Sequence, residues 1–393
     1  MEDKIATRVR EMRFSGIRKF FELVQKAEDI ISLGVGEPDF PTPEPIKDAA
    51  IRAIENDFTS YTSNYGILEL REIIAEKLKK ENSLNYDPEK EIIITTGVSE
   101  ALDLAIRAIL NPGEDILIFE PCYVSYRANV FLSHGNPIPV PTYEEDGFKP
   151  IPEEIEKRVT KRTKAIIICS PNNPTGTVLN KKDLENIADI AIEHDLIVIS
   201  DEIYEKLIYD GEKHHSIGSL NGMRDRVITL NGFSKVFSMT GWRLGYAASN
   251  EKIIEAMMKI HQYSMLCAPT ISQYAALEAF KAEKYVKKMI ETYDMRRKLL
   301  VKGLNSISGI TCVMPKGAFY AFPSIKNLGM SSEEFATLLL KEAKVAVVPG
   351  SAFGECGEGY IRCSYSVSRE DISEALARIE NFVEKVINDA RKI

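Results

Sequence analysis

Residues 227–246 read VITLNGFSKVFSMTGWRLGY. This stretch begins with the apolar run 227–230 and continues into a polar segment, punctuated by glycine, that holds Lys235 and Arg243. A short apolar run bounded by turn residues is typical of a buried strand, and the glycines after it favour a loop. The stretch therefore predicts a strand that ends on a loop bearing a lysine.

Four earlier parts of the chain repeat this apolar pattern, and predicted helices separate them. All five runs are too apolar for a sheet with one wet face, so we expect a mostly parallel sheet covered on both faces, in an α/β fold. The five runs are 92–96, 116–119, 165–169, 197–200 and 227–230.

Each run ends in polar or glycine-rich sequence. Ligands of open parallel sheets bind beyond the carboxyl ends of the strands, so one shared site explains these five ends better than five unrelated loops. The ends are GVSE at 97–100, PCY at 121–123, NNPTG at 172–176, DEIY at 201–204 and the segment around Lys235.

Three helices are expected before the first of these runs, and the last of them spans 68–81. Apolar residues at helical spacing within 4–26, namely Ile17, Phe20, Phe21 and Val24, predict an amphipathic helix. Thr42 is expected to be the N-cap of a second helix over 43–56.

Bulk composition narrows the class of protein. The 393 residues carry a net charge of −8 with no basic stripe, which argues against binding to nucleic acid. The charged N-terminus lacks the apolar core of a secretory signal, and no apolar run is long enough to span a bilayer. We therefore expect a cytoplasmic protein that binds neither nucleic acid nor membrane.

Cysteine and histidine spacing predicts no metal site. None of the six cysteines forms a C-x-x-C pair, so buried free thiols are expected. His214 and His215 follow Asp210 and Gly211, and a polar turn explains this pair better than a metal does.

The chemistry of Lys235 points to a cofactor. A lysine amine condenses with an aldehyde to form a Schiff base, while Ser234 and Arg243 are donors suited to a phosphate. Pyridoxal phosphate carries both an aldehyde and a phosphate. The alternative, a solvated surface lysine in a loop, stays open on these residues alone.

Two further strand ends fit the same cofactor. A helix beginning at Val98 would offer free backbone N–H groups to a phosphate, with the Ser99 hydroxyl as an added donor. Asp201 would be partly desolvated and needs a cationic partner such as a protonated pyridine nitrogen. The alternatives are an ordinary strand-to-helix turn at Val98 and a helix N-cap at Asp201.

Three other side chains could contact the ring of the cofactor. Asn173 and Tyr204 could form hydrogen bonds with its hydroxyl group, and Tyr123 could stack on its face. Simple packing is the alternative explanation for Tyr123.

The motifs NPTG at 173–176, SDEIY at 200–204 and SK-x5-GWR-x-GY around Lys235 occur in the order found in class I pyridoxal-phosphate aminotransferases. The chain resembles that family from SLGVGEPDF near its start to YIRCSYS at 360–366, and is most similar to archaeal and bacterial aspartate and aromatic aminotransferases. The resemblance implies fold type I: a seven-stranded-type sheet in a large cofactor-binding domain, 46–290, and a small α+β domain made of 1–45 and 291–393.

The resemblance also implies roles for individual residues. Lys235 would form the internal aldimine and then shuttle a proton at the substrate, Asp201 would pair with the pyridine nitrogen, and Tyr61 would reach the phosphate of a neighbouring subunit, which implies a homodimer. The phosphate would be bound by Val98, Ser99, Ser234 and Arg243. The ring oxygen would be bound by Asn173 and Tyr204, and the ring face would be covered by Tyr123. The substrate α-carboxylate would be bound by Arg362 together with Gly36 and Asn173.

The implied reaction is transamination between an L-amino acid, aromatic or aspartate, and 2-oxoglutarate in two half-reactions. Some related aspartate-specific enzymes carry a lysine at the position of Ser99. The absence of this lysine favours an aromatic or broad specificity. The residue that would donate to the distal carboxylate of 2-oxoglutarate is not identified. A β-lyase on the same scaffold is the main alternative. A ligand-sensing regulator is disfavoured because the ~30 residues before SLGVGEPDF are too few for a DNA-binding domain.

Overall fold

The computed structural model describes residues 2–12, 14 and 29–390. Short strands alternate with helices along most of this length, as the apolar runs predict. In chain order the strands are β1 (Ile31–Ser32), β2 (Ile92–Thr95), β3 (Asp115–Glu120), β4 (Asn136–Pro141), β5 (Thr163–Cys169), β6 (Ile197–Asp201), β7 (Val227–Gly232), β8 (Gly245–Ala248), β9 (Tyr320–Ala321), β10 (Val345–Ala346), β11 (Val348–Pro349) and β12 (Ile361–Ser364).

Seven of these strands form the central sheet, in the order β2-β8-β7-β6-β5-β3-β4. β8 is antiparallel to both of its neighbours, and the other pairings are parallel. All five predicted apolar runs are strands of this sheet. The predicted α/β fold with a mostly parallel seven-stranded sheet is confirmed.

Both faces of the sheet are covered. Along β3, Ile116 and Ile118 pack into one buried apolar cluster, whereas Leu117 and Phe119 pack into another. Successive side chains of a strand point to opposite faces, so this division places hydrophobic layers above and below the sheet. The continuous apolar runs follow from this double burial.

β4 and β8 are strands that the apolar runs did not indicate. β4 reads NPIPVP and pairs only with β3, at the edge of the sheet. Proline lacks the backbone N–H that a central strand must donate, so three prolines are tolerated only at an edge. β8 is four residues long and begins directly after the lysine-bearing segment.

Helices connect the strands and cover the sheet. No helix of the described part of the chain is long and apolar enough to cross a membrane. The α-helices are α1 (Thr7–Glu11), α2 (Glu44–Glu55), α3 (Leu68–Asn82), α4 (Gly97–Ile109), α5 (Ser125–Leu132), α6 (Pro152–Glu156), α7 (Lys181–Glu193), α8 (Glu251–Ser264), α9 (Thr270–Ala276), α10 (Glu283–Ser306), α11 (Ser332–Leu338) and α12 (Arg369–Ala390).

Of the helices predicted within 4–26 and over 43–56, only the second can be compared with the structure. The residues Ile17, Phe20, Phe21 and Val24 lie outside the described part of the chain. The helix over 43–56 is present as α2, but Thr42 is not its cap: the N-cap is Pro43, without a side-chain hydrogen bond. The Thr42 hydroxyl instead donates to the Ser238 carbonyl, 2.6 Å away, next to the lysine-bearing loop.

The remaining strands pair outside the central sheet. β12 lies between β11 and β9 in an antiparallel sheet, and β1 pairs in parallel with β10. The predicted division at residues 45 and 290 stays a prediction, and α10 runs without a break across position 290.

Candidate active site

A cavity of about 520 Å³ lies beyond the carboxyl ends of β2, β3, β5, β6 and β7. Eleven of the twelve residues that the sequence assigns to a site line this one cavity. They are Gly36, Val98, Ser99, Tyr123, Asn173, Asp201, Tyr204, Ser234, Lys235, Arg243 and Arg362.

Lys235 lies just beyond the end of β7 and reaches across the cavity. Its Nζ donates a hydrogen bond to the Gly36 carbonyl oxygen, 2.6 Å away. Burial lowers the pKa of the Lys235 amine from 10.5 to about 8. A substantial fraction of the amine is therefore neutral, and nucleophilic, near pH 8.

Asp201 is the last residue of β6 and is buried. Its Oδ2 accepts a 2.7 Å hydrogen bond from the Tyr126 hydroxyl, and its Oδ1 accepts one from the Ile203 backbone N–H. Burial raises the pKa of this carboxyl to about 6, while the bond from Tyr126 acts in the opposite direction. A buried carboxylate of this kind favours a cationic partner in the cavity.

The N-terminus of α4 and Arg243 form the part of the cavity suited to an anion. α4 begins at Gly97, one residue before the predicted start, and its first N–H groups have no partners within the helix. Gly97 has a φ of +74°, and a Cβ there would lie 2.7 Å from Arg243 Nη2. Glycine is therefore required for the close approach of the guanidinium to the helix start. The hydroxyls of Ser99 and Ser234 add two donors to the lining.

Arg362 lies on β12 and is buried at the other side of the cavity. Its Nη1 donates to Asn173 Oδ1 at 3.0 Å, and its Nη2 donates to the Gly34 carbonyl at 2.7 Å. The guanidinium lies over the Tyr320 ring, 4.4 Å from its centroid. Arg362 Nε is buried and has no hydrogen-bond partner, so one donor of the fork is left for a ligand.

The cavity also contains tyrosines that sequence reasoning missed. The hydroxyls of Tyr320 and Tyr204 are 2.9 Å apart and form a hydrogen bond. Tyr126 contacts Tyr123 edge to face, with ring centroids 5.7 Å apart. The only signal for Tyr126 was its closeness in the chain to Tyr123, which lies two residues before the start of α5.

Tyr61 is the one predicted site residue that does not line the cavity. Its side chain is 81% exposed. Its loop is held near the start of α9, because Thr270 Oγ1 donates to the Ser60 carbonyl at 2.8 Å. Its role toward a neighbouring subunit stays a prediction.

His214 is not a simple turn residue. Its Nε2 lies 2.9 Å from Glu202 Oε2, and together with Glu205 these side chains could surround one metal ion. Lys77 forms an ion pair with Glu205 and supplies positive charge at this place. A second such group, Glu156, Glu193 and His194, is exposed. The expected absence of a metal stays a prediction.

The sequence pattern of the aminotransferase class I and II family matches residues 28–379. The chain belongs to this family. Transamination is therefore the class of reaction that it catalyses.

Relatives with curated names lie close to this aminotransferase. The chain is 54% identical to an aspartate aminotransferase of Pyrococcus abyssi, over 93% of this chain and 95% of the relative. It is 50% identical to aromatic-amino-acid aminotransferase 2 of Thermococcus litoralis, over 97% of this chain and 98% of the relative.

Solved structures agree with the fold. The crystal structure of an aromatic aminotransferase from Pyrococcus horikoshii has 52% sequence identity and a TM-score of 0.89, and covers 94% of this chain and 99% of its own. An aspartate aminotransferase from Thermus thermophilus, solved with maleate, has 40% identity and a TM-score of 0.91. The match covers 96% of this chain and 99% of the Thermus chain. The aminotransferase thus shares its architecture with enzymes of both names.

Proposed function

We propose that this aminotransferase uses pyridoxal phosphate to move an amino group between an aromatic or acidic L-amino acid and 2-oxoglutarate, in two half-reactions. The observation that carries the proposal is the placement of Lys235, a buried lysine with a lowered pKa, in one cavity with Asp201, Arg243 and Arg362. These four groups are the amine, ring partner, phosphate partner and carboxylate partner that the reaction needs.

The donor set of the cavity fits the cofactor. Arg243, the hydroxyls of Ser99 and Ser234 and the N-terminus of α4 at Val98 match a phosphate dianion. Asp201 fits a protonated ring nitrogen, because its buried carboxylate already has Tyr126 as a donor on one oxygen and is stabilised further by a cation. When bound, the cofactor supplies an electron sink for negative charge at the substrate α-carbon.

On the side of the cavity opposite Arg243, Arg362 is the proposed donor to the substrate α-carboxylate. Arg362 is held by Asn173 and Gly34 and packs on Tyr320, so its guanidinium is fixed in orientation. Its free Nε can donate to a carboxylate oxygen. Gly36 leaves room beside this group, since a Cβ there would lie 3.1 Å from the Tyr320 hydroxyl and 3.7 Å from Arg362 Nη2.

The remaining residues act on the ring and on the proton. Tyr204 and Asn173 are proposed to donate to the ring oxygen, and Tyr123 to cover the ring face. Lys235 is proposed to carry the proton to and from the substrate α-carbon, because its lowered pKa lets the amine alternate between neutral and charged forms near neutral pH.

A homodimer in the cytoplasm is part of the proposal. The exposed Tyr61 is proposed to complete the phosphate site of the second subunit. Other large apolar side chains are exposed in the same part of the sequence and around 263–266, which supports an interface there. They are Ile51, Ile54, Phe58, Tyr263, Met265 and Leu266.

The donor panel that tests this proposal combines 2-oxoglutarate with aspartate, phenylalanine, tyrosine, alanine or kynurenine. Serine at position 99 leaves no lysine there for an acidic side chain, so we expect measurable activity with an aromatic donor. Activity on aspartate alone would contradict the aromatic part. Release of pyruvate and ammonia from a cysteine conjugate without an oxo acid would instead identify a β-lyase.

The role of Lys235 is tested separately with Lys235→Ala. We expect this variant to lose turnover and the visible absorption of the bound cofactor, because no other amine lines the cavity among the described residues. Turnover and absorption equal to those of the wild type would refute the assignment.

A further inference from the structure

A second cavity, of about 560 Å³, lies on the other side of the segment that carries Lys235. Ser234 and Lys235 line the first cavity, whereas Phe233, Val236 and Phe237 line the second. The second cavity is of the size that single small molecules occupy in proteins. None of the steps proposed for transamination uses it.

Four aromatic side chains form one part of the wall of the second cavity. Phe233, Phe237, Tyr246 and Phe280 line it, and the Phe233 and Phe237 rings each lie about 6 Å from Phe280 in edge-to-face contact. Aromatic rings prefer offset or edge-to-face neighbours, and a planar ring satisfies several such walls at once. The walls therefore favour an aromatic ligand.

The charged groups around the second cavity cancel. The lining contains four lysines and four glutamates, and two pairs are already joined: Lys77 with Glu205, and Lys206 with Glu81 at 2.6 Å. A lining without net charge gives no electrostatic preference for an anion or a cation. The ligand that fits best is uncharged.

One buried donor in the lining lacks a partner. Asn231 is only 3% exposed, and its Oδ1 accepts a 2.7 Å hydrogen bond from the Gly232 backbone N–H. A backbone N–H can only donate, so the atom facing it is the oxygen and the other is the amide nitrogen. That Nδ2 is buried without a hydrogen-bond partner, which costs free energy unless a ligand supplies an acceptor.

We propose that the second cavity binds a small, uncharged aromatic molecule that carries a carbonyl oxygen, which accepts a hydrogen bond from Asn231 Nδ2. Indole-3-acetamide is a suitable probe, because it has the ring and the carbonyl but neither the carboxylate that Arg362 would bind nor an α-amino group. The matched probe 3-ethylindole has the ring without the carbonyl.

Calorimetry with the cofactor-loaded protein tests the proposal. We expect one indole-3-acetamide per chain, and about tenfold weaker binding of 3-ethylindole because the Asn231 donor then stays unpaired. Equal affinity for the two probes, or no binding of either at millimolar concentration, would overturn the proposal. Crystals grown with indole-3-acetamide must show it beside Asn231, and density only in the Lys235 cavity would also overturn it.

Three variants complete the test. Asn231→Asp keeps the acceptor for the Gly232 N–H but removes the donor, so indole-3-acetamide should bind about tenfold more weakly. Ile290→Trp, on α10, fills the cavity and should abolish binding. Met295 lies on the same helix outside the cavity and is 66% exposed. The control variant Met295→Trp should therefore bind the probe with unchanged affinity. Full binding by both cavity variants would refute the site.

Discussion

The Tyr126 hydroxyl donates a 2.7 Å hydrogen bond to Asp201 Oδ2, from the start of α5 to the end of β6. Both side chains are buried. The bond stabilises the charged carboxylate and so counteracts part of the effect of burial, which holds the Asp201 pKa at about 6. Tyr126 is thus a positioning residue for the group proposed to face the cofactor ring.

Replacing Tyr126 with phenylalanine removes this bond but keeps the ring. We expect the pKa of Asp201 to rise further, because only the Ile203 N–H then remains as a donor. The acid limb of the pH profile of kcat should move to higher pH, and kcat at pH 7 should fall about tenfold with little change in KM. Tyr123→Phe is the control, and an unchanged acid limb in Tyr126→Phe would contradict this role.

Gly97→Ala should weaken cofactor binding through Arg243. The new Cβ would meet Arg243 Nη2 at 2.7 Å and displace the guanidinium from the phosphate site. We expect the dissociation constant of the cofactor to rise tenfold or more, a loss of about 1.4 kcal/mol or more.

Gly113→Ala is the matched control for backbone strain. Gly113 has a φ of +86°, close to the +74° of Gly97, but nothing lies within 4 Å of its added Cβ. Both variants should lose about 1 kcal/mol of stability from the left-handed backbone, and only Gly97→Ala should lose cofactor affinity. Equal cofactor affinities, measured by equilibrium dialysis, would rule out the role of Arg243.

Arg362→Lys should damage substrate binding far more than stability. Lysine cannot reproduce a fork that donates to Asn173 and Gly34 while leaving Nε for a carboxylate. We expect kcat/KM for amino acids to fall about 100-fold, or ~2.7 kcal/mol, while cofactor absorption is retained. Arg127→Lys, which alters a partly exposed partner of Glu120 outside the cavity, should leave kcat/KM near that of the wild type.

Lys235→Met should stabilise the cofactor-free protein at pH 7. The pKa of Lys235 is about 8 in the folded protein and near 10.5 in the unfolded chain. Below pH 8 the amine is therefore protonated in both the folded and the unfolded protein, and the full free-energy cost of burying the ammonium is present. That cost is about 3 kcal/mol and disappears between pH 8 and 10.5, where the folded amine loses its proton first.

Urea unfolding across that pH range measures this effect. The stability advantage of Lys235→Met over the wild type should shrink as the pH rises from 8 to 10.5. Lys288→Met replaces an exposed lysine of α10 and should show no such trend. A constant difference between Lys235→Met and the wild type would show that proton linkage is not the cause.

The sequence predicted which residues line one cavity where a residue follows a strand. Val98, Tyr123, Asn173, Asp201 and Lys235 follow or end separate strands, and the rule for carboxyl ends of parallel strands brings them together without knowledge of the structure. Arg362 and Gly36 came from the family resemblance, because nothing in their local pattern places them at that edge.

Contacts between distant side chains could not be predicted in this way. Tyr320 lies 116 residues from Tyr204, its hydrogen-bond partner, and no periodicity connects the two. Thr42 had the residue type of a helix N-cap, yet its hydroxyl donates to Ser238 and accepts from Trp242 Nε1. Tertiary partners outcompeted the local motif at this position.

The pairing of β1 with β10 has a consequence for how such an enzyme diversifies. All of the proposed cofactor ligands within the subunit lie between positions 98 and 243, whereas Gly36 and Arg362 belong to the two flanks of the chain, which are joined through the pairs Ile31 with Val345 and Ser32 with Ala346. Gly36 and Arg362 are proposed to hold the α-carboxylate, which all amino-acid substrates share, so other residues of these flanks can vary with the substrate side chain while the proposed chemistry of the middle is preserved.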